Sequence, residues 1–158
     1  MRIALGADHR GVALKTRVKQ LLDRQHLDYE DFGPDTPEPV DYPDYAASVA
    51  RSVASGTCDR GILICGSGIG MAIAANKVRG IRAAPITTPE AARLARRHNN
   101  ANVLTLGSGA TAVDDALAIV EAFLLAPFEG GRHQRRVDKI AAAERDAAHL
   151  SDRTVTAG

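Results

Sequence analysis

An α/β fold, with a five-stranded parallel sheet between two helical layers in an αβα sandwich, is predicted by three features of this 158-residue sequence. Runs that are almost wholly apolar, such as RIALG at 2–6, GILIC at 61–65 and NVLTLG at 102–107, suit strands buried on both faces. Longer segments with apolar residues at helical spacing separate them. Strands that alternate with helices in this way pair in parallel through right-handed crossovers.

RIALG opens as the first strand, and VALKTRVKQLLDR (12–24) follows with Val12, Leu14, Val18, Leu21 and Leu22 near one side of a helical wheel. LDYEDF (27–32) returns as the second strand. GPDTPEPVDYPDY carries four prolines between residues 34 and 43, which excludes regular structure and predicts a fixed loop. YAASVARSVASG has a helical apolar repeat ending at Gly56. GILIC is the third strand, IGMAIAANK (69–77) a short helix and GIRAAPI (80–86) the fourth strand. PEAARLARRHNN (89–100) is a helix opened by proline. NVLTLG is the fifth strand and AVDDALAIVEAFLLA (112–126) its helix. Past PFEGG, residues 131–148 read as a charged, alanine-rich helix with no sixth strand to cover, which either meets a partner subunit or is solvated. One domain over 1–148 is therefore expected, with 149–158 as a flexible tail of small and polar residues.

Twenty Lys and Arg against nineteen Asp and Glu leave a formal charge of +1, which is no signature of nucleic-acid binding. A local group of arginines can still hold a small anion. Two cysteines, Cys58 and Cys65, make a disulfide scaffold improbable. Asp8 and Arg10 come too early for a secretion signal, and no apolar stretch has spanning length. A cytoplasmic protein without membrane contact is the expectation.

Ligands of an open parallel sheet collect beyond the carboxyl ends of its strands. ADH at 7–9, CGSG at 65–68 and GSG at 107–109 fall there. Gly66, Gly68 and Gly70 let the backbone turn and present its N–H groups, and the helix starting near Ile69 adds unpaired amides. An anion or a developing oxyanion is therefore favoured. The G-x-G-x-G spacing matches neither dinucleotide nor P-loop fingerprints. Cys65 is either a small buried hydrophobe or a thiolate stabilised by its place at a strand end beside those amides; Cys58 lacks that setting and reads as structural. Six intervening residues fit no usual zinc pair, so no metal is expected. Each polar candidate has a plain alternative: Ser67 caps a helix, Asp8 and His9 form a turn, His98 with Asn99 caps a helix end, and Arg132, His133, Arg135 and Arg136 form a solvated run. Arg132 and Arg136, four apart, can also share one helical side and grip one phosphate.

GADHRGVALK, DYPDYA, GILICGSGIGMAIAANKVRGIRA, RRHNNANVLTLG and FEGGRHQRRVDKI, in that order between residues 6 and 140, closely resemble the ribose-5-phosphate isomerase type B family, which includes galactose-6-phosphate isomerase subunits. The resemblance implies a Rossmann-like sheet without a cofactor and a homodimer or dimer of dimers acting on a phosphorylated sugar. It implies that Cys65 moves a proton between C2 and C1, assisted by Ser67, while the amides of Gly66, Gly68, Ile69 and Gly70 hold the enediolate oxygen. It implies that His98, from the neighbouring subunit, opens the furanose ring with Asp8. Asn99 would contact sugar hydroxyls, and His9, Arg132 and Arg136 would hold the phosphate. Tyr42 lies in the family's substrate-side loop, where packing is the first reading.

Many members carry an arginine after strand five that adds to phosphate binding across the subunit boundary, and here Gly109 stands in its place. A guanidinium fork has no substitute in glycine, so a tetrose or hexose phosphate stays open beside ribose 5-phosphate. A non-catalytic sugar-phosphate sensor is the alternative from another class, although binding alone requires neither a thiol base nor a ring-opening histidine.

Overall fold

The computed structural model describes the backbone of residues 1–155 and the side chains of residues 1–146. Five strands, β1 (Arg2–Ala7), β2 (Asp28–Asp31), β3 (Arg60–Cys65), β4 (Ala83–Pro85) and β5 (Val103–Gly107), pair in parallel in the order β2-β1-β3-β5-β4. The helices are α1 (Val12–Arg24), α2 (Tyr42–Ala54), α3 (Ile69–Ala75), α4 (Pro89–Asn99), α5 (Val113–Leu125) and α6 (Arg132–Val155).

Alternation along each strand divides the core into two layers. Ile3, Leu5, Ile62, Ile64, Leu104 and Leu106 pack with α1, α4 and α5, whereas Ala4, Leu63, Cys65 and Val103 pack with α2 and α3. This division follows from crossover handedness: β1 to β2 and β4 to β5 step one way across the sheet, the other connections step back, and reversing direction changes the face. The expected three-layer architecture is what the chain adopts.

Three boundaries differ from expectation. Helix α2 starts at Tyr42, inside the segment read as loop, because Pro43 falls in its first turn, where the missing N–H costs nothing. Strand β4 is confined to Ala83–Pro85; on its open edge the Asn76 side chain donates to Ala83 O at 2.9 Å and accepts from Ala83 N at 2.8 Å, standing in for a further strand. Helix α6 continues to Val155, past residue 148. The side chains of the tail expected over 149–158 lie outside the described residues.

A buried ion pair fastens α1 to the end of β2. Lys15, 2% exposed, meets Asp31 at 2.5 Å, and Lys19 meets the other carboxylate oxygen at 2.7 Å. Burial alone works against charge on Asp31, but the Lys15 and Lys19 hydrogen bonds outweigh it and hold the carboxyl below its ordinary value. Asp31→Ala leaves the Lys15 ammonium buried with only Asp35, at 3.6 Å, as partner. Denaturant unfolding near neutral pH is expected to show a loss of about 3 kcal/mol, typical of breaking one side of a buried pair. A depressed carboxyl stabilises the fold above its unfolded value of about 3.9 and ceases to do so as pH falls through the folded value. The gap between wild type and variant should therefore narrow below about pH 4.

Candidate active site

Strand order reverses at β1: the chain leaves it for β2 on one side and returns to β3 on the other. The crevice beyond their carboxyl ends is the expected ligand position in such a sheet. A cavity of about 640 Å³ opens there, its wall including Asp8, Arg10, Tyr42, Cys65, Ser67 and Gly70.

Cys65 ends β3 with its side chain toward the α2–α3 layer, 5% exposed. Gly68 N donates to its Sγ at 3.1 Å, and the thiol both belongs to the core cluster and lines the cavity. The turn that delivers this N–H requires Gly68, which has φ +77° and whose Cβ would stand 2.9 Å from the Leu106 backbone. Buried Thr105 donates its hydroxyl proton to Gly68 O at 2.8 Å. Ser108 N and Gly109 N donate to Cys65 O and Gly66 O at 2.8 and 3.0 Å, locking the β3 loop to the β5 loop. The N–H groups of Ser67 and Gly70 find no acceptor among the described residues. Helix α3 has only seven residues, so little helix dipole stands behind these amides.

Ser67 is not the cap of α3, which is Gly68; its Oγ accepts from Ile69 N at 3.3 Å within the turn, and the residue is exposed to the cavity. Asp8, 6% exposed, spends one carboxylate oxygen on Arg10 N and Gly11 N at 2.9 and 3.1 Å; its other oxygen has no partner among the described residues. The Tyr42 ring covers Gly70, where a Cβ would approach it to 2.7 Å, and so forms a wall of the cavity. Ile69, 57% exposed, lines the same opening. His9 sits nearby in the loop after β1 but outside the cavity wall, and Val40 N donates to its Nδ1 at 3.3 Å.

The remaining candidates lie at the other end of the strands. Every helix that follows a strand starts at the carboxyl edge of the sheet and ends at the amino edge, so α4 carries His98 and Asn99 away from Cys65. His98 is no helix cap: Asn100 is, in the left-handed conformation. Glu129 N donates to Arg97 O at 3.1 Å, which sets the start of α6, with Arg132 and Arg136 exposed, beside the end of α4. There the His98 and His133 rings stack at 4.2 Å, within 2° of parallel. Glu129 Oε2 stands 3.7 Å from His98 Nε2 and 3.5 Å from His133 Nε2. Arg97 hydrogen-bonds Glu129 and holds its carboxyl below the ordinary value. Burial, with the neighbouring charges of His98, Arg132 and Arg136, pushes His133 below the usual imidazole value. Asn99 faces a separate cavity of about 290 Å³ that includes Asn76, Arg82 and Ile140.

Ligand atoms of His98, Glu129 and His133 lie within 4.8 Å of one another, the one grouping of metal-ligating type among the described residues. Arg97 on Glu129 and Arg132, whose Nε is 3.4 Å from His133 Nε2, already put two cations there, which disfavours a third. Neither Glu129 nor Arg10 was singled out from the sequence.

A family model described as ribose/galactose isomerase matches residues 3–140. The chain belongs to the ribose/galactose isomerase family. Within that family it is 48% identical over 143 residues to ribose-5-phosphate isomerase B of Escherichia coli, covering 90% of this chain and 96% of that one. It is 41% identical over 150 residues to D-erythrulose-4-phosphate isomerase of Pectobacterium atrosepticum, covering 94% and 99%. The fold matches ribose-5-phosphate isomerase B of Clostridium thermocellum with TM-score 0.92 at 49% identity, over 93% of this chain and 99% of that one. It matches the Mycoplasma genitalium enzyme with bound ribulose 5-phosphate with TM-score 0.88 at 44% identity, over 91% and 96%. Among the described residues of this family member, no helix is long and apolar enough to cross a membrane.

Proposed function

We propose that this isomerase interconverts ribose 5-phosphate and ribulose 5-phosphate by proton transfer through an enediolate. The observation that carries the reading is the buried Cys65 sulfur, fed by the Gly68 N–H at the floor of a cavity edged with unpaired amides. As thiolate, the Cys65 sulfur can take the C2 proton of the open-chain aldose. The electron pair of the broken C–H bond forms the C1–C2 double bond, and the former carbonyl oxygen becomes the enediolate oxygen. Gly68 N and Ile69 N, expected to hold that oxygen, are taken up by Cys65 Sγ and Ser67 Oγ, so the free amides of Ser67 and Gly70 bind the charge more strongly than they bind the neutral carbonyl, which is how they lower the barrier. The thiol then returns its proton to C1 while the proton on the C2 oxygen passes to the C1 oxygen, giving the ketose.

The site is completed by a second copy of the chain. His98, Asn99, Arg132 and Arg136 lie at the amino edge of the sheet, a strand's length from the cavity within one chain. In a two-fold dimer the two edges meet reciprocally. His98 of the partner subunit with Asp8 then opens the furanose ring, one proton leaving the anomeric hydroxyl as another is delivered to the ring oxygen. Asn99 holds sugar hydroxyls, and the phosphate lies among His9, Arg132 and Arg136. Tyr42 and Ile69 act as cavity walls. Exposed Ile69 and Ile73 at the cavity mouth give such a partner an apolar surface to cover.

Another sugar phosphate is the second reading, favoured by Gly109 and by the tetrose-phosphate isomerase among the relatives. Tetrose, pentose and hexose phosphates assayed in both directions decide the matter. The highest kcat/KM is expected for the ribose 5-phosphate and ribulose 5-phosphate pair; a higher value for a tetrose or hexose phosphate transfers the chemistry to that substrate.

A further inference from the structure

Arg10 follows Asp8 and His9 in the loop after β1, and its guanidinium lies on the glycine turn beside Cys65. A Cβ at Gly66 would stand 2.7 Å from its Cζ and its Nη1, so the bare backbone at Gly66 is what seats the group. A Cβ at Gly109 would stand 3.6 Å from its Nη2 and 3.1 Å from Gly66 O. Ser108 Oγ donates to the Arg10 carbonyl at 2.9 Å and ties the loop after β1 to the loop after β5. Among the described side chains lining the cavity, Arg10 is the only cation. It forms no ion pair with any carboxylate among the described residues. Asp8, the one carboxylate in the same wall, directs one oxygen to backbone amides.

We propose that Arg10 is a phosphate-binding residue of this cavity, occupying the volume into which an arginine at position 109 would project. The proposal rests on the sugar-phosphate reading above and deepens it. An exposed, unpaired guanidinium presents a planar fork of donors suited to a phosphate. Two arginines at 10 and 109 would place like charges side by side, so glycine at 109 accompanies arginine at 10. Gly109→Arg by itself is then expected to bring no gain in affinity, because its Cβ crowds Gly66 O and its cation meets Arg10.

The test is calorimetric titration with inorganic phosphate, together with KM and kcat for ribose 5-phosphate, on wild type, Arg10→Ala, Gly109→Arg and the double variant. Arg10→Ala is expected to weaken phosphate binding and raise KM by about tenfold or more, the loss of a charge-assisted contact, with a smaller effect on kcat. The double variant should recover affinity relative to Arg10→Ala. Unchanged phosphate affinity and KM in Arg10→Ala would overturn the proposal, as would a loss confined to kcat or a Gly109→Arg gain equal with and without Arg10. Should the double variant not fold, phosphate affinity falling in the order Arg10, Arg10→Lys, Arg10→Ala supports the assignment, and equal affinities reject it. Phosphate titration needs no turnover. A chain that fails to isomerise ribose 5-phosphate therefore contradicts the functional reading and leaves the Arg10 measurement standing.

Discussion

Cys65→Ala is expected to lower kcat for ribose 5-phosphate by about a thousandfold or more, within the range that a positioned base contributes. Phosphosugar affinity should stay within a few-fold, because the groups proposed to bind the phosphate and hydroxyls remain. The lost sulfur gives up one hydrogen bond from Gly68 and little packing volume, so the variant should fold. Two other polar side chains reach the same cavity and compete for the base's role. Ser67 already accepts from Ile69 N. Asp8 is the stronger competitor, with one carboxylate oxygen unused by the turn. Near-normal turnover by Cys65→Ala would assign proton abstraction to Asp8. In deuterated water the wild type should place deuterium at C1 of ribulose 5-phosphate whenever the thiol exchanges with solvent before returning its proton; partial labelling fits a shielded sulfur.

Much of the fold was legible because strands buried on both faces must be apolar throughout, as GILIC and NVLTLG are. The strand–helix alternation also fixes that the end of α4 lies opposite the end of β3, so the separation of His98 from Cys65 within one chain follows from connectivity. Proline count misled at residues 42–44, since a proline at a helix start and a proline in a loop look alike without the backbone. Composition likewise understated α6, whose small and polar residues past 148 continue a helix. Within the site, Cys65, Ser67, Asp8 and the glycine turn were readable from their place at strand ends. Arg10 was not, because an arginine opening a helix reads as solvated until Gly66 and Gly109 are seen to seat it. Glu129 was hidden for a similar reason: PFEGG reads as a turn, and its contacts with Arg97, His98 and His133 join segments distant in sequence.

Subunit complementation tests the composite site. Cys65→Ala and His98→Asn should each be inactive alone. In a mixed dimer one site pairs the intact Cys65 of one chain with the intact His98 of the other, while the second site carries both lesions. Activity per mixed dimer is therefore expected at about half that of wild type, and about a quarter for an equal mixture that reassorts at random. Denaturing, mixing and refolding the two variants, with a mass tag on one to verify that subunits exchange, supplies the measurement. Recovery toward that ceiling is expected. Verified mixed dimers without activity would contradict the composite site, and would place both halves of the chemistry within a single chain.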